Sequence, residues 1–290
     1  MMKICLLMAS SILAAGVGSA GEISVPEGYR LVWADEFDKD GAPDPKNWKF
    51  ENGFVRNKEA QWYQPENAFC KDGKLVIEGR REKKPNPNFK EGSKEWKENR
   101  KFIEYTAASL KTSGLHNWQY GRFEVKAKIS AKQGLWPAIW FLGISGEWPS
   151  CGEIDLMEYY KDDILANACW GTDKKYQAKW STTKKPVKSF NDPDWDQKFH
   201  VWRMDWDKDA IRLYVDDILL NNVDLNKTIN PTDKGPKNPF HQPHYLLLNL
   251  AIGGDNGGDP TNTLFPTRYE IDYVRVYQKF DSSQLGSGKK

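Results

Sequence analysis

The stretch RFEVKAKI, Arg122 to Ile129, sets Phe123, Val125, Ala127 and Ile129 on one side of an extended chain and Arg122, Glu124, Lys126 and Lys128 on the other. Successive side chains of an extended backbone point to opposite faces, so this alternation describes a strand with one face buried. The pattern recurs. His200, Trp202, Met204 and Trp206 share a face, as do Ile211, Leu213 and Val215. Further strands are expected at Lys74–Arg80, Tyr105–Lys111, Ala138–Leu142, Gly152–Tyr160, Ile164–Trp170, Tyr245–Ala251 and Tyr269–Gln278. No segment sustains a helical repeat, and Gly, Pro, Asn and Asp separate the strands. The chain therefore reads as all-β, a sandwich of two antiparallel sheets.

The chain has 290 residues, a length that a single domain of this class accommodates. With 42 Lys and Arg against 40 Asp and Glu, the net charge is +2, which excludes the basic excess of a nucleic-acid or membrane-surface binder. Aromatic residues are abundant: 13 Trp, 12 Tyr and 13 Phe supply flat apolar surfaces to the core or to a ligand-facing wall.

The N-terminal MMKICLLMASSILAAGVGSA puts a lysine ahead of an apolar run from Ile4 to Gly18 and ends in small residues. This is the pattern of a cleaved signal peptide, and the run is short for a membrane span. The expectation is an exported, soluble protein: residues 1–20 a leader, 21–280 one domain, and 281–290 (DSSQLGSGKK) a flexible tail. Cys5 falls in the leader, which leaves Cys70, Cys151 and Cys169 as buried free thiols or with one bridge at most. Two polar insertions, 80–101 and 171–194, are expected as loops. Each contains a tryptophan, Trp96 and Trp180, that either packs back onto the body or rims a binding site.

WPSCGEIDLMEYY, Trp148 to Tyr160, places Glu153, Asp155 and Glu158 on an otherwise apolar strand. Acids in such a setting need a reason. Glu153 and Asp155 share a face, whereas Glu158 would face the other way unless a bulge at Leu156 or Met157 restores it. With that bulge the glutamate Cα atoms lie roughly 13 Å apart, and leaning side chains bring the carboxyls to about 5 Å, the spacing of retaining glycosidases. Crowded carboxyls cannot all ionise cheaply, so one keeps its proton as an acid while another serves as nucleophile. A calcium site drawing on the same acids is the competing reading, although calcium ligands usually come from a loop.

The hexapeptide Glu153-Ile154-Asp155-Leu156-Met157-Glu158 resembles the active-site signature of glycoside hydrolase family 16, in the laminarinase-type form with an extra residue before the second Glu. The resemblance extends over nearly all of the chain after the leader. LVWADEFD at Leu31, DGKLVIEGRRE at Asp72, YGRFEVKAKI at Tyr120, GLWPAIWFLG at Gly134, FHVWRMDW at Phe199, NPFHQPHYLLLNLAIGG at Asn238 and IDYVRVYQ at Ile271 are similar to the family's strands, in order.

The resemblance implies a concanavalin-like β-jelly roll with an open cleft for a β-glucan, mixed-linkage β-1,3/1,4 or laminarin. It implies a monomeric, endo-acting, retaining enzyme with no nucleic-acid partner. By position Glu153 is the nucleophile, Glu158 the general acid/base and Asp155 the carboxylate that tunes the nucleophile. Trp136 and Trp140 of WPAIW, together with Trp148, resemble cleft-lining tryptophans, and each either meets a sugar face or packs in the core. Asn57 in NKEAQWY either hydrogen-bonds a donor sugar or serves a turn.

The chemistry needs no cofactor. The resemblance further implies a structural calcium on the convex side, held by Glu36, the Gly73 carbonyl and Asp272. GGDNGGDP at Gly253 invites a further calcium reading, although its composition is that of a connecting turn. Two departures from the family pattern, Cys169 in the place of a His and Ser109 in the place of an Arg, bear on sugar recognition more than on bond cleavage. No cluster of extra Arg points to sulfated galactans such as agar or carrageenan. A non-catalytic carbohydrate-binding sandwich and a transglycosylase are the alternatives.

Overall fold

The computed structural model describes residues 23–231 and 237–280, so the leader and tail read from the sequence lie outside the described residues. Its strands are β1 (Tyr29–Asp35), β2 (Lys49–Phe50), β3 (Gln61–Tyr63), β4 (Ala68–Cys70), β5 (Leu75–Pro85), β6 (Phe102–Ala107), β7 (Ser109–Lys111), β8 (Gly121–Lys128) and β9 (Leu135–Gly143). Then follow β10 (Glu153–Tyr160), β11 (Asp163–Gly171), β12 (Ala178–Pro186), β13 (His200–Trp206), β14 (Ala210–Val215), β15 (Ile218–Asp224), β16 (His244–Ile252), a single helical turn α1 (Gly254–Gly257) and β17 (Thr267–Lys279).

Two sheets result. One runs β15-β14-β13-β8-β17-β5-β6-β3, with β1 added to β17 and β4 to β5; the other runs β12-β11-β10-β9-β16-β7-β2. All pairings are antiparallel except β3 with β6, a parallel pair that the sequence reading did not anticipate.

The alternation at Arg122 is realised directly. Phe123, Val125 and Ala127 of β8 are buried and lie in register beside Met204, Trp202 and His200 of β13. They face the second sheet, where Phe141 of β9 meets Phe123 edge-on with ring centroids 5.2 Å apart. Ile154, Met157 and Tyr159 of β10 and Leu246, Leu248 and Leu250 of β16 complete that inner layer. Burying each such side chain stabilises the sandwich by about 1.5–3 kcal/mol. The other side of the second sheet is not plain surface. Ala138, Trp140 and Leu247 form a second apolar cluster there.

Some expectations fail for physical reasons. Tyr105–Lys111 is not one strand: the chain crosses from the first sheet (β6) to the second (β7) at buried Ala108. Part of the polar insertion 80–101 continues β5 as far as Pro85. The rest is a turn-rich segment pinned by buried Asn86, whose Nδ2 donates to the carbonyls of Lys97 (3.0 Å) and Arg100 (2.8 Å). Its Trp96 packs back on Phe54 at 6.0 Å, with Arg100 over the indole at 5.0 Å. In the second insertion, residues 178–186 form β12, paired throughout with β11. This is an edge strand built of Lys, Ser and Thr, residues that guard exposed edges and give no apolar alternation to read.

The calcium ligands read from the resemblance are otherwise engaged. Both oxygens of Glu36 accept from the Arg275 guanidinium at 2.8 Å, and Asp272 pairs with Lys126 at 2.7 Å. Carboxylates already neutralised by strand-neighbour cations do not fit a cation site, and Gly73 alone offers one carbonyl. Among the described residues no group of three or more His, Cys, Asp or Glu is placed to hold a metal ion. The GGDNGGDP run is a connecting turn, tied down by Asp255 N donating to the Asn57 carbonyl at 2.9 Å.

Candidate active site

Asp155 lies opposite Asn167 of β11 and Glu158 opposite Leu165, so three steps along β10 match two along β11. Against β9, Asp155 pairs with Trp140 and Met157 with Ile139, which places the extra residue at Leu156. The expected bulge is therefore present, and Glu153, Asp155 and Glu158 all line one cleft of about 730 Å³. Ahead of the acids, Gly152 has φ 82°, and a Cβ there would come within 3.0 Å of Pro239 and 3.1 Å of His244. Only glycine fits the turn that brings the chain up to Glu153.

Each acid is held differently. Glu153 Oε2 accepts from Trp148 Nε1 at 2.6 Å. Glu158 Oε1 accepts from Trp136 Nε1 at 2.8 Å, and its Oε2 accepts from Asn167 Nδ2 at 3.0 Å. Asp155 is fully buried between them, and its Oδ2 has no partner.

Burial raises the proton affinity of all three, and their neighbours then separate them. Burial pushes Glu158 up to about 7; the Trp136 N–H opposes this and the charge of Glu153 adds to it. Asp155 lies well above the carboxylate range because it is buried and stands beside two glutamates. Its interaction with Glu153 raises Asp155 and lowers Glu153, which favours the proton on Asp155 over Glu153. Glu153 is raised by burial but held down by the Trp148 N–H, by Asp155 and by the positive charge of Arg56. Trp148, Asp155 and Arg56 thus favour the charged form of Glu153, and burial leaves Glu158 a carboxyl able to exchange a proton near neutral pH.

The cleft extends to both sides of the acid strand. On one side stand Trp180, Thr182 and Lys184 of β12 with Leu165 and Asn167 of β11; on the other stand Ala138, Trp140, Leu142, Asn249 and the segment Arg56–Glu59. Trp136 and Trp140 border it but expose only 7% and 8%, too little to offer an indole face to a sugar ring. Their N–H groups are committed instead, Trp136 to Glu158 and Trp140 to Asn249 Oδ1 at 2.7 Å, and Arg56 lies over the Trp140 ring at 5.0 Å. Trp148, in contrast, is 42% exposed, and so is Trp180 at 45%. Asn57 sits on the rim in a left-handed turn conformation with φ 53°, its Nδ2 3.3 Å from Glu59 Oε1.

The sequence reading missed Arg56, Glu59, Asn167 and Asn249 as members of the site. Asn167 and Asn249 carried the same signal as the acids, a polar side chain inside an apolar strand. Arg56 is ion-paired with Glu51, whose Oε2 also accepts from Ser109 Oγ at 2.8 Å. The hydroxyl at Ser109 thus supports an arginine that comes from another segment. Cys169 is fully buried in the row between Glu153 and Trp180. Cys70, Cys151 and Cys169 are all free thiols.

Residues 58–275 match the model of glycosyl hydrolases family 16. A β-glucanase of Rhodothermus marinus is 36% identical over 266 residues, covering 86% of this chain and 85% of the relative. A keratan-sulfate endo-1,4-β-galactosidase of Sphingobacterium multivorum is 30% identical, covering 90% of this chain and 58% of the relative. Among solved structures, one from work on endo-acting O-glycanases with which human gut bacteria initiate mucin breakdown superposes with a TM-score of 0.80 and 36% identity, covering 92% of this chain and 97% of that one. The family model spans most of the chain and encloses the acid strand, and on that ground the protein belongs to glycosyl hydrolase family 16.

Proposed function

We propose that this glycoside hydrolase cuts within β-glucan chains, β-1,3 or mixed β-1,3/1,4, by two displacements with retention of configuration. The observation that supports this best is the bulge at Leu156, which turns Glu153 and Glu158 to one cleft, where burial holds Glu158 up to about 7 while the Trp148 N–H and Arg56 favour the charged form of Glu153. Glu158 protonates the departing glycosidic oxygen as Glu153 attacks the anomeric carbon; the glycosyl ester is then hydrolysed by a water whose proton Glu158 takes back. Asp155, holding a proton toward Glu153, stabilises the carboxylate before attack and again when it leaves. An open cleft with lining on both sides of the acids favours attack inside a chain over removal of end units. The β-glucanase relative supports glucan as the substrate.

A second reading, cleavage of β-galactoside linkages in keratan-sulfate or mucin-type glycans, is favoured by Cys169 and Ser109, which depart from the glucanase pattern, and by the two relatives that act on such glycans. Export of the protein and action as a monomer belong to the same proposal. N-terminal sequencing of the secreted chain and its mass in solution test them.

The experiment is a panel of laminarin, barley mixed-linkage glucan, keratan sulfate and mucin O-glycans, with Glu153→Gln as the inactive control. Oligosaccharides from either glucan are expected. Cleavage confined to keratan sulfate or mucin O-glycans would replace the first reading by the second, and no cleavage of any would overturn both.

A further inference from the structure

Trp180 stands on β12, the outermost strand of the cleft-bearing sheet, and exposes 45% of its surface there. Its indole lines the cleft that holds the three acids, where its apolar face is open to a ligand. In register it lies beside Cys169, and Cys169 beside Glu153, which sets Trp180 about 9.5 Å from the Glu153 backbone at the usual strand spacing. Cys169 between them is fully buried, while Glu153, Trp148 and Trp180 line the cleft around it. Trp148, the other exposed indole of the cleft, is fixed next to Glu153 by its N–H. Thr182 and Lys184 follow Trp180 at alternate positions on the same face and also line the cleft.

We propose that Trp180 is a specificity-determining residue whose indole holds one β-linked hexopyranose unit of the substrate in a subsite on the β11–β12 side of Glu153. The C–H face of a pyranose matches a flat indole, while ring hydroxyls at its edge come within reach of Thr182 and Lys184. This rests on the reading of the protein as a glycanase and names a sugar-holding residue for it.

Two measurements test it. In the Glu158→Gln background, calorimetric binding of a long reduced oligosaccharide of laminarin or mixed-linkage glucan is expected to weaken about tenfold on Trp180→Ala, with partial recovery in Trp180→Phe. On cleavable oligosaccharides of increasing length, Trp180→Ala is expected to raise KM about tenfold for long chains and at least fivefold less for the shortest one cut. Unchanged binding, or an equal loss at every length, overturns the proposal. If no chain is cleaved but Trp180→Ala still weakens binding, the glycanase reading fails and the subsite stands.

Discussion

Glu153 and Glu158 are five residues apart on one strand and face the same cleft, because Leu156 occupies a place in β10 that β9 does not match. If the bulge acts only by setting the face of Glu158, then removing it together with its extra residue leaves Glu-Ile-Asp-Met-Glu, in which plain alternation keeps all three acids together. Deletion of Leu156 is therefore expected to give a folded, less stable enzyme whose activity stays at least tenfold above that of Glu158→Gln. Activity as low as that of Glu158→Gln in a folded deletion variant would contradict this.

The Trp136 N–H holds down a carboxyl that burial raises to about 7. Reaction requires Glu158 protonated, so kcat/KM falls as pH rises through its value. Trp136→Phe removes the opposing hydrogen bond and is expected to move this alkaline limb upward by about half a unit or more. A pH profile showing the limb unmoved or shifted down would count against the assignment of Glu158 as the acid.

The same shifts bear on stability. Glu153, Asp155 and Glu158 bind protons more tightly folded than unfolded. Their contribution is full below the unfolded carboxyl values, near 4, and is lost as pH rises through the folded ones, near 7 for Glu158. Between pH 4 and pH 8 the Tm of Asp155→Asn, which has no proton to lose, is therefore expected to gain a few degrees relative to that of the unaltered protein. Parallel Tm curves for the two proteins would show that Asp155 is not raised.

Burial pushes the thiols of Cys70 and Cys151 up to about 11 and raises Cys169 further. Protonated, buried thiols react slowly. A chain lacking residues 1–20 should show no reactive thiol in a disulfide-exchange assay when native and three when unfolded, and finding only one after unfolding would reveal a bridge.

Much of this was legible in the sequence where one side of a strand meets the core and the other meets water. RFEVKAKI and HVWRMDW could be read residue by residue for that reason, and the acids of β10 stood out against apolar neighbours, even to the need for a bulge. The edge strand β12 was illegible because neither of its faces is apolar. The break at Ala108 was hidden because the apolar pattern runs on while the chain changes sheets. What tunes the acids was hidden differently: Trp136, Trp148 and Asn167 reach them across strands or from a loop, and such partners are set by register and turn geometry, which no local window contains. For Trp136 and Trp140 the resemblance left a sugar platform and core packing both open, and only the packed structure shows that their faces are covered.

The double displacement by Glu153 and Glu158 is tested most directly by NMR of the first product released from the polysaccharide that the enzyme cuts, recorded before mutarotation. The β-anomer appearing first is the result expected for two displacements. The α-anomer appearing first would mean a single displacement by water and contradict the roles given to both glutamates.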